Sequence, residues 1–377
     1  MAQPKCYIFA GGGTGGHLMP GLAVAAELSR VEPDARVIFV GSSRSLERQV
    51  LSQPEALRFE HVILAAEPLA TARRRPWRFV WRNWRSFREA QRLLRTKRPA
   101  VVIGLGGYAS VPVVFAAQRL GLPTVLLEQN VVPGKATRWL SRRASRVCVS
   151  FEATSHRLSR TDNIVITGNP VRVEIASLHV SPALLWGESG GERAASPKTL
   201  LVLGGSQGAS GINRAMLPAA EQLRSELAGW RIVHQTGAEQ ADEVRRQYAK
   251  LTVDHEVEPF FHDMATLYST ATLVVSRAGA TTLAELACAG CPTILIPYPA
   301  ATDNHQHLNA DEFVAAGAAR CVTQATDPAD TASRLKADLR LLIGDADQRT
   351  VMRRAMSALA RPDAALQVLA EIDSVRK

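Results

Sequence analysis

Two glycine-rich segments, one in each half of the chain, have the residue types that bind phosphate. Residues 11–17 read Gly-Gly-Gly-Thr-Gly-Gly-His after the apolar run 6–10, and residues 204–209 read Gly-Gly-Ser-Gln-Gly-Ala after the apolar run 200–203. A strand that ends in a glycine turn and continues into a helix presents backbone N–H groups and the positive helix end to an anion. The duplication predicts two nucleotide-type domains that face one cleft and handle phosphorylated ligands.

A third segment, residues 277–285, extends this chemistry in the second half. It reads Arg-Ala-Gly-Ala-Thr-Thr-Leu-Ala-Glu and follows the apolar run 272–276. Thr281 and Thr282 at a helix start would supply donors to a diphosphate, and Glu285, one turn further, would accept hydrogen bonds from a ribose diol. The alternative is that the threonines only cap a helix and that Glu285 is a first-turn acid.

Two amides further along the chain favour a nucleotide-sugar ligand. Gln306 and Asn309 share one face of a predicted helix start, and amides both donate to and accept from sugar hydroxyls. The neighbouring His305 and His307 diverge on a helix and have no evident third ligand, so we predict no metal site.

The segment Gly11-x-Gly13-x-x-Gly16 also matches the dinucleotide-binding fingerprint. That interpretation needs an acid at the end of the second strand, where it would bind the ribose. Here the predicted strand ends at Val40 and is followed by Gly-Ser-Ser-Arg, without a carboxylate. A dehydrogenase is therefore disfavoured.

Composition is typical of a globular protein with two domains. The chain has 377 residues, 46% hydrophobic and 21% charged, and no apolar run long enough to span a membrane. It enters a predicted strand without a basic-then-apolar leader and has five scattered cysteines, so we expect a reduced, cytoplasmic protein. Cys288 and Cys291 match C-x-x-C, but they are predicted to close a helix, where nothing activates a thiolate.

The formal net charge of +10 is concentrated in the first half. Residues 1–180 hold 26 Lys and Arg against 12 Asp and Glu, whereas residues 181–377 hold 19 against 23. Such asymmetry indicates that an anionic partner meets the first domain.

Residues 73–99 carry much of this charge, with ten Arg and Lys97 against the single acid Glu89. Three tryptophans recur at helical spacing, and arginines occupy the adjacent face: Trp77, Trp81, Trp84, Arg78, Arg82 and Arg85. A basic, tryptophan-rich amphipathic helix predicts contact with an anionic membrane surface. The alternatives are a domain helix with its aromatics in the core, and a nucleic-acid partner, although no recognition motif for nucleic acid accompanies the segment.

Apolar runs that suit strands buried on both faces alternate with helical stretches, which predicts doubly wound parallel sheets. The predicted strands are 5–10, 36–40, 61–64, 100–104, 123–127, 146–150 and 163–167, then 199–204, 231–235, 272–276, 292–297 and 320–323. We expect a first domain at 1–168 that faces a membrane and a second domain at 169–362 that binds a nucleotide sugar. A final helix at 363–377 is expected to pack back towards the first domain.

Taken together, the motifs resemble the MurG family of bacterial N-acetylglucosaminyltransferases. The resemblance covers nearly the whole chain and includes the segments GGGTGGHLMPGLA at 11–23, GLGGYAS at 104–110, EQN at 128–130, GNPVR at 168–172, GGSQGA at 204–209, FFHDM at 260–264, RAGATTLAE at 277–285 and HQHLNA at 305–310. It implies the glycosyltransferase-B fold, an α/β fold of two Rossmann-like domains facing a cleft. The implied reaction transfers N-acetylglucosamine, with inversion, from UDP-N-acetylglucosamine to the 4-hydroxyl of undecaprenyl-diphospho-N-acetylmuramoyl-pentapeptide (lipid I) in peptidoglycan synthesis.

The resemblance also implies roles for individual residues. Glu285 would hold the ribose, and the backbone near Phe261 would read uracil. Gln306 and Asn309 would contact the sugar. The residues implied to face the diphosphate are Ser206, Arg277, Ala280, Thr281 and Thr282, and those implied to reach the donor from the first domain are Thr14, Gly15, Gly16, Asn130 and Arg172. No cofactor and no metal are implied, and the expected location is the cytoplasmic face of the plasma membrane, where other wall-synthesis enzymes are candidate partners.

The reaction needs a general base for the acceptor hydroxyl. His17 is the first candidate because it follows the glycine segment and titrates near neutrality. Its alternative role is to orient that segment, and Glu128 and Tyr108 are the other candidates. Relatives often carry a histidine before this glutamate, but Leu127 stands there in this chain.

Two other functions remain open at this stage. A UDP-N-acetylglucosamine 2-epimerase of the same fold would need no tryptophan–arginine surface. A basic nucleic-acid-binding protein would leave both phosphate-type segments without a use.

Overall fold

The structure is a computed structural model that describes residues 4–12, 15–42, 57–180, 197–205 and 208–376. The chain forms two compact units, one of Met1–Arg172 with Asp363–Lys377 and one of Val173–Pro362. The first unit thus runs to Arg172, beyond the predicted limit at 168. Each unit is an α/β structure around a parallel sheet, which confirms the predicted fold class.

Within the described residues, the first unit contains a seven-stranded parallel sheet in the order β3-β2-β1-β4-β5-β6-β7. Its strands are β1 Cys6–Gly11, β2 Arg36–Gly41, β3 Glu60–Ile63, β4 Val101–Gly106, β5 Thr124–Glu128, β6 Arg146–Val149 and β7 Ile164–Ile166. Its helices are α1 Gly15–Val31, α2 Ala70–Arg74, α3 Pro76–Lys97, α4 Ser110–Arg119, α5 Lys135–Leu140 and α6 Glu152–Ser155. Strands β1, β4 and β5 are buried along their whole length, as continuous apolar runs predict.

The described part of the second unit has a six-stranded parallel sheet in the order β10-β9-β8-β11-β12-β13. Its strands are β8 Lys198–Leu203, β9 Trp230–Gln235, β10 Asp254–Glu258, β11 Ala271–Ser276, β12 Thr293–Leu295 and β13 Ala319–Cys321. Its helices are α7 Val173–Val180, α8 Ser210–Gln222, α9 Ala241–Leu251, α10 Met264–Thr270, α11 Ala280–Ala289, α12 His305–Ala315, α13 Pro328–Gly344 and α14 Ala346–Ala358.

The final helix, α15 Ala364–Val375, belongs to the first unit. Its buried face joins the core cluster that contains Tyr7 and Phe9 of β1, through Ala365, Val368, Leu369 and Ile372. This apolar stripe at helical spacing needs a core to cover it, and α1 is the helix against which it packs.

Among the residues that the structure describes, β10 is the one strand that the sequence analysis missed. Its sequence Asp-His-Glu-Val-Glu has a single buried apolar residue, Val257. An edge strand is covered on fewer sides than a central one, so it needs no apolar run and gives no strong signal.

Both sheets reverse their strand order at a switch point, between β1 and β4 and between β8 and β11. In such sheets ligands bind outside the carboxyl ends of the strands at that point. The two glycine-rich segments follow β1 and β8, and residues 277–285 follow β11. The segments singled out by sequence therefore flank the switch points.

Glycine is required where the loops at these edges touch. Gly107 has φ 72°, and a Cβ there would lie 2.3 Å from the carbonyl oxygen of Gly12. Gly208 has φ 74°, and its Cβ would lie 2.3 Å from the carbonyl oxygen of Thr236. Any side chain at either position would push two loops apart.

The C-x-x-C pair has the predicted structural role. Helix α11 ends at Ala289 with Gly290 in the left-handed conformation, and both Cys288 and Cys291 are buried thiols. Burial raises the pKa of Cys291 to about 12, so this thiol is unreactive at neutral pH.

Across the described ranges, no helix combines the length and apolar character needed to cross a bilayer.

Candidate functional site

The second unit places the residues predicted to bind the nucleotide sugar at the carboxyl edge of its sheet. Phe261 follows β10, residues 277–285 follow β11, and Gln306 follows β12. Ser206, which follows β8, lies outside the described residues.

The start of α11 has the electrostatics that suit a diphosphate. Its N-cap is Gly279 in an extended conformation, no side chain caps it, and its first turn contains no acid. Ala280, Thr281 and Thr282 form this turn, where the backbone N–H groups and the positive helix end favour an anion. Glu285 lies in the second turn, so the alternative of a compensating first-turn acid is wrong.

Arg277 has two carbonyl partners. Its Nη1 donates to the carbonyl oxygens of Ile296 at 2.9 Å and Pro297 at 3.2 Å, and its guanidinium lies 5.6 Å from the ring of Tyr298. Burial lowers the pKa of Arg277 to about 10, which still leaves it charged at neutral pH. The side chain therefore holds the segment after β12 and places a cation at this edge.

The two amides of α12 differ in their surroundings. The Oε1 atom of Gln306 accepts from the backbone N–H of Tyr298 at 2.8 Å, and the side chain is half-buried. Asn309, which the resemblance assigns to the sugar, has a fully buried side chain whose Nδ2 donates to the carbonyl oxygen of Ala278 at 3.2 Å. Asn309 thus braces α12 against the turn that precedes α11.

The backbone at Phe261 is tied to the neighbouring strand. Its N–H donates to Oε1 of Gln235 at 3.4 Å, and the N–H of Gly237 donates to the carbonyl oxygen of Pro259 at 3.1 Å. Gln235 is a contact that the sequence analysis missed. The available signal was a polar residue at the end of a buried strand.

The first unit places His17 and Tyr108 at the carboxyl edge of its sheet. His17 lies in the first turn of α1, and its ring lies so close to Gly106 that a Cβ there would be 2.8 Å from its Cδ2. Tyr108 follows β4, and its hydroxyl donates to Oγ of Ser42 at 3.1 Å. Both side chains are half-buried.

Glu128 lies at the end of β5 and is buried. Its Oε1 accepts from the N–H of Asn130 at 3.2 Å, and its Oε2 accepts from the N–H of Gly134 at 3.0 Å. Burial raises the pKa of Glu128, against the opposing effect of these hydrogen bonds. The carboxyl group therefore anchors its own loop.

The remaining first-unit candidates lie at the ends of elements. Gly15 and Gly16 begin α1, Asn130 lies in the loop after β5, and Arg172 precedes α7. Thr14 lies outside the described residues.

The tryptophans of α3 are on the surface. Trp77 is 86% exposed, and Trp81 and Trp84 are each 56% exposed, whereas Ser86, Ala90 and Leu94 form the buried face. The alternative that places these aromatics in the core is therefore wrong.

The arginines of α3 border these tryptophans. Arg78 and Arg82 both pair with Glu67, and Arg85 pairs with Glu89 while its guanidinium lies 5.7 Å from the ring of Trp81. We call Trp77, Val80, Trp81 and Trp84, with their arginines, the tryptophan surface.

The fold and these residues define a class: an α/β protein of two doubly wound units with nucleotide-type binding segments at the switch points of its sheets. Comparison with known proteins identifies the family within this class. Residues 7–149 match the N-terminal domain of glycosyltransferase family 28, and residues 199–368 match its C-terminal domain.

Two relatives are similar over nearly the whole chain. A Desulfotalea psychrophila protein named UDP-N-acetylglucosamine--N-acetylmuramyl-(pentapeptide) pyrophosphoryl-undecaprenol N-acetylglucosamine transferase is 39% identical over 368 residues, covering 97% of this chain and 95% of the relative. The crystal structure of Acinetobacter baumannii MurG is 28% identical with a TM-score of 0.76, covering 98% of this chain and 100% of that one. The chain belongs to glycosyltransferase family 28 and, within it, to the MurG family.

The epimerase alternative shares the fold only. The UDP-N-acetylglucosamine 2-epimerase of Neisseria meningitidis, solved with UDP-N-acetylglucosamine, is 14% identical with a TM-score of 0.65, covering 98% of this chain and 100% of that one.

Proposed function

We propose that this enzyme is a hexosyltransferase that moves N-acetylglucosamine from UDP-N-acetylglucosamine to N-acetylmuramyl-(pentapeptide) pyrophosphoryl-undecaprenol, forming lipid II from lipid I in peptidoglycan synthesis. The observation that carries the proposal is the 39% identity over 97% of the chain with a relative of that name. The start of α11, which has a glycine N-cap and no first-turn acid, together with Glu285 one turn further, supports a nucleotide diphosphate as the donor's binding group.

In this proposal the donor binds at the carboxyl edge of the second sheet. The first turn of α11 binds the diphosphate, Glu285 binds the ribose, the backbone at Phe261 reads uracil, and Gln306 reaches the sugar. UDP gains negative charge as it leaves, and the helix start together with the cationic Arg277 stabilises that charge. These groups can perform this task themselves, so we propose that neither a cofactor nor a metal is required.

The acceptor step requires removal of a proton from the 4-hydroxyl as it displaces UDP with inversion. We assign His17 as the base. The hydrogen bonds of Glu128 to its own loop make that carboxyl a weaker candidate, and Tyr108 donates to Ser42.

The tryptophan surface is proposed to contact the anionic leaflet that holds the acceptor's polyprenyl chain. Exposed indoles insert at the level of the lipid headgroups, and arginines pair with their phosphates. The protein would then be peripheral, on the cytoplasmic face of the plasma membrane.

The decisive experiment offers labelled UDP-N-acetylglucosamine and a short-chain lipid I analogue to the purified protein. We expect a lipid-linked disaccharide and release of UDP. Formation of the free epimer without the disaccharide would instead identify an epimerase.

A further inference from the structure

Tyr268 makes a buried contact with the residue assigned to the ribose. Tyr268 lies on α10 and is 1% exposed, and its hydroxyl donates to Oε2 of Glu285 on α11 at 2.9 Å. Glu285 is itself only 9% exposed. A hydrogen bond from a hydroxyl to a carboxylate is stronger than one between neutral groups, so this contact restrains the carboxylate.

The restraint still allows the carboxylate to accept further hydrogen bonds. An ionised carboxylate has about four acceptor positions, so a hydrogen bond from Tyr268 is compatible with two more from a vicinal diol. A glutamate side chain otherwise loses rotamer entropy when it binds a ligand. A carboxylate that is already oriented loses less, which strengthens binding.

Tyr268, which donates this hydrogen bond, is itself held in place by contacts of its helix. The side chain of Asp263 caps α10 by accepting from the N–H of Thr266 at 3.0 Å, and Sγ of Cys291 donates to the carbonyl oxygen of Tyr268 at 3.5 Å. Helix α10 is thus tied at its start and at Tyr268. The tyrosine hydroxyl therefore has a defined position from which to orient Glu285.

We propose that Tyr268 is a positioning residue that sets the enzyme's preference for a ribose diol by orienting the carboxylate of Glu285. The inference rests on the proposed function, in which Glu285 binds the donor ribose. Tyr268 itself touches no substrate in this assignment.

The test is the affinity of Tyr268→Phe for UDP and for 2′,3′-dideoxy-UDP, measured by calorimetry on the full chain. We expect UDP binding to weaken about tenfold and binding of the dideoxy ligand to stay unchanged. The ratio of the dissociation constant for 2′,3′-dideoxy-UDP to that for UDP, which measures the preference for the ribose diol, therefore falls. Equal weakening of both ligands, or no change in either, would overturn the proposal.

Tyr248→Phe is the matched control. Tyr248 is another fully buried tyrosine of the second unit, and its hydroxyl lies 3.0 Å from Nδ1 of His234. This variant also loses a buried hydroxyl, and we expect it to keep the wild-type ratio. A fall in the ratio as large as that of Tyr268→Phe would overturn the specific role of Tyr268.

Glu285→Gln separates the inference from the function on which it rests. If Glu285→Gln keeps the wild-type ratio, the assignment of Glu285 to the ribose is wrong. If Glu285→Gln lowers the ratio and Tyr268→Phe does not, only the role of Tyr268 is wrong. If Tyr268→Phe does not fold, Glu285→Asp replaces it in the test. This variant shortens the side chain by one methylene and so withdraws the carboxylate from Tyr268, and we expect it to lower the ratio. An unchanged ratio would contradict the proposal.

Discussion

His17, Tyr108 and Glu128, at the carboxyl edge of the first sheet, differ in the contacts that hold them. Both oxygens of Glu128 accept from backbone N–H groups of its own loop, and the hydroxyl of Tyr108 donates to Ser42. The ring of His17 lies against Gly106 in the first turn of α1. Histidine is the side chain that most often acts as a general base, and His17 lies at this edge in the turn after the first glycine-rich segment, so we keep it as the proposed base.

We expect His17→Ala to lower turnover at saturating substrates by about 10²–10⁴-fold, the usual contribution of a general base. UDP affinity, measured by calorimetry, should stay near wild type, because His17 is not assigned to the diphosphate. His156→Ala, an exposed histidine of the same unit, serves as the control. Near-native turnover of His17→Ala would remove this residue from the mechanism.

Two helices carry the proposed binding functions at the element scale. Helix α11 offers a start without a side-chain cap and without a first-turn acid, and α3 offers three exposed tryptophans beside arginines. A helix stabilised only for folding would gain from an acid in its first turn, and a helix that only packs would bury its indoles. The missing first-turn acid of α11 and the exposed indoles of α3 both have a physical explanation if an anion binds the start of α11 and a membrane surface binds α3.

Thr282→Asp should therefore have opposite effects on folding and on binding. The new carboxylate interacts favourably with the helix start and should stabilise the fold by about 0.3–1 kcal/mol. It repels the diphosphate, so UDP should bind about tenfold more weakly, and less so at high salt. Urea unfolding and calorimetry measure the two effects. Thr282→Asn is the neutral control, and unchanged UDP affinity in Thr282→Asp would exclude this helix start as the diphosphate site.

Replacing Trp77, Trp81 and Trp84 together by Ala should reduce binding to vesicles that contain anionic lipid by about tenfold or more. Stability should change little, because the three side chains are exposed. Co-sedimentation with anionic and with neutral vesicles measures the effect. The control is the double replacement of Leu341 and Val351 by Ala, because both are exposed apolar residues of the second unit. Equal vesicle binding by the tryptophan variant and the wild type would contradict the proposed surface.

At the scale of the whole molecule, the C-terminal helix α15 returns to the first unit, where the chain begins. Helix α15 packs in the same core as β1, and Arg376, just after it, donates to the hydroxyl of Tyr7 at 2.9 Å and pairs with Glu32. Burial acts to raise the pKa of Glu32, but hydrogen bonds from Arg376 and Tyr7 outweigh it and lower that pKa below its ordinary 4.5. These contacts join residues from the two ends of the sequence.

Arg376→Ala should lower the free energy of unfolding by about 1 kcal/mol at pH 7. A carboxyl whose pKa is lowered by folding stabilises the protein fully above its unfolded value, and this contribution disappears as pH falls through the folded value. The difference between variant and wild type should therefore shrink below pH 4.5, the ordinary value for Glu32. Arg334→Ala, an exposed arginine of the second unit, is the control. A difference that does not depend on pH would exclude the Glu32 contact as its cause.

The amino-acid sequence alone predicted every strand of the described residues except β10, together with the motifs on which the family assignment rests. Central strands such as β1, β5 and β8 are apolar runs, and the glycine-rich segment after β8 contains Gly205 and Gly208, whose left-handed backbone favours glycine. Parallel strands end at the same edge of a sheet, so segments that follow them in sequence are also neighbours in space. The family resemblance rested on these local motifs.

Only the tertiary structure decided how individual side-chain atoms are used. It buried Asn309 against Ala278, engaged Glu128 with its own loop, exposed the indole of Trp77 and placed the hydroxyl of Tyr268 on Glu285. Each outcome depends on what packs against a helix or loop, and amphipathic spacing shows that a face exists without showing what covers it. Contacts between separate elements, such as α10 with α11, have no local signature in the sequence, which is why they had to be read from the fold.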